Sequence, residues 1–203
     1  MIKESRNWDA FALVLIDVQK DFWKERMSQD LADYEKNLTQ LLHLCRHEGI
    51  DVVHLRARFQ SDESDWMVRY KSLGRIPCIE GTPGVEIFPF AAEKAGEFVI
   101  YKQSFDGFHK PALQAYLEKN GKRYLLLAGL VTSVCVLLTA ASAAQRGFLV
   151  GIVDDCCADS PEAHEQTIQG YPFIFDRISV EQIIDCHDTW LADIGNLSKQ
   201  KSD

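Results

Sequence analysis

Phe11-Ala-Leu-Val-Leu-Ile-Asp17 is an unbroken apolar run closed by an acid. It is too short for a helix of ordinary length, rich in branched side chains and free of polar alternation. It therefore reads as a strand buried on both faces, the signature of a parallel sheet covered by helices. Working outward, Leu31, Tyr34, Leu38, Leu41, Leu42 and Cys45 recur at a helical period across 30–48, and Gly49 supplies a stop. Asp51–Arg56, Glu97–Lys102, Arg123–Gly129 and Phe148–Asp154 read as further strands, with a short one over Arg177–Val180. Helices are expected over Pro111–Lys119, Ser133–Arg146, 160–170 and Glu181 to about Ala192. This alternation predicts a three-layer α/β/α fold on a six-stranded, mostly parallel sheet. One domain spanning residues 1–203 is expected, with frayed ends near 1–9 and 195–203.

The chain has 203 residues, 46% of them apolar and 26% charged, which excludes collagen-like, disordered and coiled-coil classes. Thirty acids against 22 lysines and arginines give a formal charge of −8. Such a balance lacks the basic surface that phosphate neutralisation demands, so no nucleic-acid partner is expected. No apolar run approaches the roughly 18–20 residues of a membrane span, and the first ten residues contain no apolar core of a secretion signal. The expected location is the cytoplasm, with no membrane contact. Cys45, Cys78, Cys135, Cys156, Cys157 and Cys186 form no C-x-x-C pair and read mainly as reduced thiols in apolar surroundings.

No G-x-G-x-x-G follows the first strand and no phosphate-binding G-x-x-x-x-G-K-[ST] occurs, which argues against dinucleotide dehydrogenases and nucleotide hydrolases. Residues 57–96, with Gly74, Pro77, Gly81, Thr82-Pro83-Gly84 and Pro89, form a long irregular connection. It reads as a lid or an oligomer contact carrying short helices, one around Trp66–Lys71.

Ligands of open parallel sheets bind beyond the carboxyl ends of the strands. Asp17 ends the first strand, Lys102 ends the third, and Cys135 falls in the first turn of the helix after the fourth. Separately, Asp17 reads equally as a helix cap, Lys102 as a solvated strand end and Cys135 as a core thiol. Together they place an acid, an ammonium and a thiol on one rim. A helix N-terminus and a nearby ammonium are expected to lower the thiol pKa. Asp17 can exchange the thiol proton with a leaving amine, and the N–H groups near Val131 and Cys135 can hold an oxyanion.

Leu15-Ile-Asp17-Val-Gln-Lys-Asp-Phe22, Pro77-Cys-Ile-Glu-Gly-Thr-Pro-Gly84, Val99-Ile-Tyr-Lys102 with Ser104, Phe105 and Phe108, Ala128-Gly-Leu-Val-Thr-Ser-Val-Cys135, and Val153-Asp-Asp-Cys-Cys-Ala-Asp159 occur in that order. In this the chain resembles the isochorismatase-like cysteine hydrolases, a superfamily that includes nicotinamidases and N-carbamoylsarcosine, ureidoacrylate and biuret hydrolases. The likeness spans roughly residues 10–185. It implies sheet order 3-2-1-4-5-6, a catalytic triad of Asp17, Lys102 and Cys135, and a cis peptide at Leu130–Val131 that aims the Val131 N–H into the oxyanion hole. It also implies hydrolysis of a C–N bond in a small amide or ureido compound through a thioester, no cofactor, and a homodimer or homotetramer. That order sets the first and third strands about 10 Å apart, a gap a leaning lysine can close.

Two departures narrow the reading. Nicotinamidases carry metal ligands just after the second strand, where this chain has Ala57 and Phe59, so no metal site is expected. True isochorismatases cleave a vinyl ether without a cysteine at this place. A non-amide hydrolase on the same fold and a non-catalytic binding protein remain as alternatives. Phe22, Trp23, Phe105 and Phe108 are either core or the wall of a substrate pocket. Arg56, Arg58, Arg69, Lys71 and Arg75, set against Asp62, Glu63 and Asp65, are either a carboxylate-binding group or solvated lid charge. His43 and His47 lie four apart on the first helix and read as solvated neighbours without a third metal ligand. Cys156-Cys157 reads as strand-end packing.

Overall fold

The computed structural model describes residues 6–200, with side chains as far as Leu197. Its strands are β1 Phe11–Ile16, β2 Asp51–Ala57, β3 Phe98–Lys102, β4 Tyr124–Leu130, β5 Leu149–Ala158 and β6 Asp176–Ile178. Its helices are α1 Leu31–Glu48, α2 Val68–Leu73, α3 Pro111–Lys119, α4 Leu137–Gln145, α5 Pro161–Gly170 and α6 Ile183–Gln200. The strands form one sheet in the order β3-β2-β1-β4-β5-β6, and every pairing is parallel rather than most of them.

The two-residue period of β1 builds the three layers. Phe11, Leu13 and Leu15 pack with Tyr34, Leu38 and Leu41 of α1 and Trp190 of α6. Ala12, Val14 and Ile16 face the other way, against Leu113 and Leu117 of α3 and Ala140 and Ala143 of α4. Every residue of β1 is buried, as an unbroken apolar run requires. Gly49 takes φ 78° after α1, and the Ile50 N–H bonds back to the Cys45 carbonyl at 2.8 Å, closing the helix before β2.

Several boundaries depart from expectation. β5 continues to Ala158 instead of ending at Asp154, because the acids within it find partners: Asp155 accepts from the Val180 N–H, and Asp154 pairs with His164 and Arg177. A ladder irregularity between Leu127 and Gly129 absorbs the change of register. The helix expected from Ser133 begins instead with a π-helical turn, Thr132–Val136, and α4 starts at Leu137. Parts of both ends expected to fray, 1–9 and 195–203, are described. Trp8 is buried, donates to Glu48 at 3.1 Å and packs on Phe11 and His187, while α6 runs on to Gln200. The parts of that expectation at 1–5 and 201–203 lie outside the described residues. The short helix expected in the 57–96 connection is α2, two residues later than its expected place, with 3-10 turns at Pro83–Val85 and Pro89–Ala91. No helix among the described residues is long and apolar enough to cross a membrane.

Gly129 of β4 pairs with Ile16 of β1. Its φ is +131°, and a Cβ there would stand 1.9 Å from the Ile16 carbonyl oxygen. Gly129→Ala combines backbone strain with a clash against main chain that cannot rotate away. We expect chemical denaturation to show a stability loss of at least about 3 kcal/mol, the class of effect reserved for strained and overpacked sites.

Candidate active site

β1 hands the chain to Asp17 in a left-handed conformation, φ 51°. The Asp17 N–H still bonds to the Leu55 carbonyl at 2.9 Å, and its own carbonyl accepts from the Gln19 N–H at 2.7 Å. This tight turn leaves the carboxylate inside the protein, fully buried. Lys102, at the end of β3, is 1% exposed and crosses the end of β2, where its register partner Ala57 has only a methyl group. Its Nζ donates to Asp17 Oδ2 at 2.6 Å, to the Ser104 carbonyl at 2.8 Å and to the Phe105 carbonyl at 3.4 Å. The Cys135 Sγ lies 3.7 Å from the same nitrogen. Asp17 Oδ1 has no hydrogen-bond partner among the described residues, which leaves one acceptor open in the middle of the cluster.

Cys135 is carried by the π-helical turn after β4. The Leu130–Val131 peptide is cis, and the Val131 carbonyl accepts from both the Val134 and Val136 N–H groups. Asp159, at the end of β5, pins the next part of the turn: its Oδ2 accepts from Ser133 N at 3.0 Å and Ser133 Oγ at 2.6 Å. Val131, Val134 and Cys135 all reach a cavity of about 510 Å³ whose floor they share with Lys102. Phe22, Phe59, Phe105 and Tyr70 wall it, and Met67, Arg75 and Pro77 close it from the lid. Tyr70 meets Phe59 and Phe105 edge-on, at 6.0 and 5.9 Å between ring centres.

The electrostatics correct one expectation. The Cys135 thiol is pushed up rather than down: burial raises its pKa most, the Asp17 carboxylate raises it further, and Lys102 opposes both. Asp17 is itself raised, by burial against the opposing pull of Lys102, so it is a stronger base than an exposed aspartate. Burial works against charge on Lys102, but the Asp17 carboxylate and the Cys135 sulfur outweigh it and hold the ammonium. The electrostatics thus favour an ammonium–carboxylate pair and work against a thiolate beside it.

Of the four aromatic candidates, Phe22 and Phe105 line the cavity. Trp23 does not: its ring packs on Tyr34 and Phe88, in the α1 layer. Phe108 is buried in the opposite layer beside Phe148 with the Arg146 guanidinium over its ring. Among the basic candidates only Arg75 reaches the cavity. Arg56 pairs with Glu93, Arg58 lies over the Tyr101 ring and near Glu80, and Arg69 and Lys71 are exposed. Ala57 and Phe59 present a methyl group and a ring to the cavity, neither of which can ligate a metal. His43 and His47 stack at 6.2 Å on α1, and no group of three potential ligands with metal-binding geometry occurs among the described residues. Cys156 and Cys157 point into opposite core layers.

Sequence reasoning missed Gln19, Tyr70, Met67 and the anchoring role of Asp159. Gln19 is fully buried; its amide donates to the Ala57 and Val85 carbonyls and accepts from the Ala57 N–H, each at 2.8 Å, joining β1, β2 and the lid. An amide two residues beyond a buried strand was the available signal. Asp21 links the same regions by accepting from Cys78 N at 2.7 Å, and Gly84 leaves that carboxylate its room.

A family model described as the isochorismatase domain matches residues 11–171. The chain is 30% identical over 148 residues to a secreted isochorismatase effector, Isc1, of Verticillium dahliae, covering 72% of each. It is 26% identical to nicotinamidase 3 of Arabidopsis thaliana, covering 96% of this chain and 94% of that one. It is 32% identical to a maleamate amidohydrolase of Pseudomonas putida, covering 63% and 62% respectively.

Because Asp17 raises the thiol and Lys102 lowers it, their removal has opposite effects on sulfur reactivity. Asp17→Asn should speed modification of Cys135 by methyl methanethiosulfonate at pH 7 by about tenfold or more, the change in thiolate that one pKa unit brings. Lys102→Ala should slow it and move the pH profile upward. Site-resolved mass spectrometry across pH 6–10 (about the range in which the thiolate population responds) checks both; equal rates in all three proteins would refute the charge assignment.

Proposed function

The chain belongs to the isochorismatase family, and from that premise we propose that it is a cysteine-dependent hydrolase of a C–N bond in a small amide or ureido compound. The observation that carries the reading is the buried contact of Lys102 with both Asp17 and Cys135 on the floor of a cavity. Asp17 takes the Cys135 proton as the sulfur attacks the substrate carbonyl carbon, and Lys102 compensates the charge that passes onto sulfur. The carbonyl π electrons move to oxygen, which the N–H groups of Val131 and Cys135 hold. The C–N bond then breaks, Asp17 returns the proton to the departing nitrogen, and a thioester remains. A water molecule, giving its proton to Asp17, attacks that thioester; sulfur leaves, recovers the proton, and the acid product is released. The raised pKa of Asp17 suits a group that must hold a proton between the two half-reactions.

The cavity supports a substrate with an apolar, flat body. Arg75, with no ion-pair partner among the described residues, supports a carboxylate at its far end. A homodimer or homotetramer in the cytoplasm belongs to the same proposal. Val68 and Phe173, 84% and 80% exposed, are compatible with contacts between copies, and the six free thiols with a reducing compartment. The second reading, a non-amide hydrolase on the same fold, is favoured by the likeness to a protein described as an isochorismatase effector.

Ammonia release from nicotinamide, biuret, ureidoacrylate analogues, N-carbamoyl amino acids and half-amides of diacids separates the two readings. Release is expected for at least one compound and should fall by at least about a thousandfold in Cys135→Ser, as for loss of a nucleophile. Silence across the set, with vinyl-ether cleavage in its place, overturns the amide reading. Arg75→Ala should raise KM about tenfold or more for carboxylate-bearing substrates, the loss of one charge-assisted contact, and leave neutral ones unchanged.

A further inference from the structure

Behind the catalytic turn, outside the cavity lining, four polar side chains form a line. Thr132 is fully buried and its Oγ1 lies 2.9 Å from Nδ1 of His164 on α5. The other ring nitrogen, Nε2, lies 2.8 Å from Asp154 Oδ1 on β5. Asp154 Oδ2 in turn accepts from Arg177 Nε on β6 at 2.7 Å. The line runs from an exposed arginine to the residue that follows Val131.

We propose that Thr132, His164 and Asp154 form a positioning relay that fixes the direction of the Val131 N–H in the oxyanion hole, an inference that rests on the acyl-transfer reading above. The Thr132 hydroxyl, which can both donate and accept, is hydrogen-bonded to His164 Nδ1, and Asp154 stands at ion-pair distance on the other side of the ring. Arg177 holds the second oxygen of that carboxylate. Threonine's branched side chain restricts its first torsion, so a held hydroxyl limits how far Thr132 and the peptide before it can rotate. The Val131 carbonyl is already held by two N–H groups and Ser133 by Asp159. Thr132 completes the anchoring between them, and its partner comes from a different helix. Neither His164 nor Asp154 lines the cavity, so both act through Thr132 rather than on substrate.

The test compares two probes of Cys135. Benzaldehyde suits the aromatic walls: the thiol adds across its carbonyl, the sulfur–carbon bond forms as the π bond breaks, and the thiol proton ends on the oxygen, which occupies the oxyanion hole. Methyl methanethiosulfonate reports the sulfur alone. In His164→Ala and Thr132→Val the benzaldehyde dissociation constant, read by protection of Cys135, should rise about tenfold, while the methanethiosulfonate rate stays within about twofold, because only the donor is misaimed. His164→Asn, which keeps an amide able to donate or accept near the Nδ1 position, should recover most of the aldehyde affinity. An unchanged dissociation constant overturns the relay. So does equal damage to both readouts, or an Asn variant no better than the Ala one. If His164→Ala does not fold, Thr132→Val carries the same comparison. A wild-type protein that reacts with the methanethiosulfonate but forms no aldehyde adduct overturns the acyl-transfer reading itself, and the relay with it.

Discussion

An ammonium and a carboxylate sealed from water, 2.6 Å apart, are the constraint on which the active end of the sheet depends. Either charge alone would be strongly unfavourable inside the protein, so each exists only while the other is held in place. Holding them brings three strands into agreement. β1 must turn its last peptide into a left-handed conformation, β3 must end on a long cationic side chain, and β2 between them must end on something small. Lys102 then uses its remaining donors on the Ser104 and Phe105 carbonyls, which ties the chain leaving β3 to the same point. The Cys135 sulfur lies 3.7 Å from the Lys102 nitrogen, close enough to feel both charges.

The 57–96 connection is fastened to that centre by polar contacts. Gln19 uses its amide oxygen and nitrogen to span Ala57 and Val85, and Asp21 reaches the Cys78 N–H. The small cluster of Ala57, Phe59, Ile76 and Cys78 beneath it is separate from the two layers that cover the sheet. The cavity therefore draws on both parts of the chain: Phe22 and Phe105 come from the segments that follow Asp17 and Lys102, while Phe59, Met67, Tyr70, Arg75 and Pro77 come from the long connection.

What the sequence made legible follows from which forces act locally. The layers were readable because burial on both faces leaves an unbroken apolar strand, and the odd and even residues of β1 sort themselves into the two cores. Asp17, Lys102 and Cys135 were readable because strand ends point to one rim in a parallel sheet. The thiol pKa was not, since its direction depends on burial and on the distance to Asp17, neither of which a linear pattern contains. Trp23 and Phe108 illustrate the same limit. Both lie beside cavity residues in sequence, but one turn of backbone sends each ring into a different core layer. β5 extended past its acids because Arg177 and the Val180 N–H bond them from distant segments, with His164 at ion-pair distance, and the π-helical turn depends on a five-residue hydrogen bond that no composition announces.

The upward push on the Cys135 thiol has a consequence for its oxidation. Peroxides oxidise thiolates far faster than thiols, and cysteines with depressed pKa values are the ones that pass to sulfenic and sulfinic acids. Here burial and the carboxylate beside Cys135 both push the other way. Slow oxidation of this sulfur is thereby a consequence of where it is buried and of which charge stands beside it.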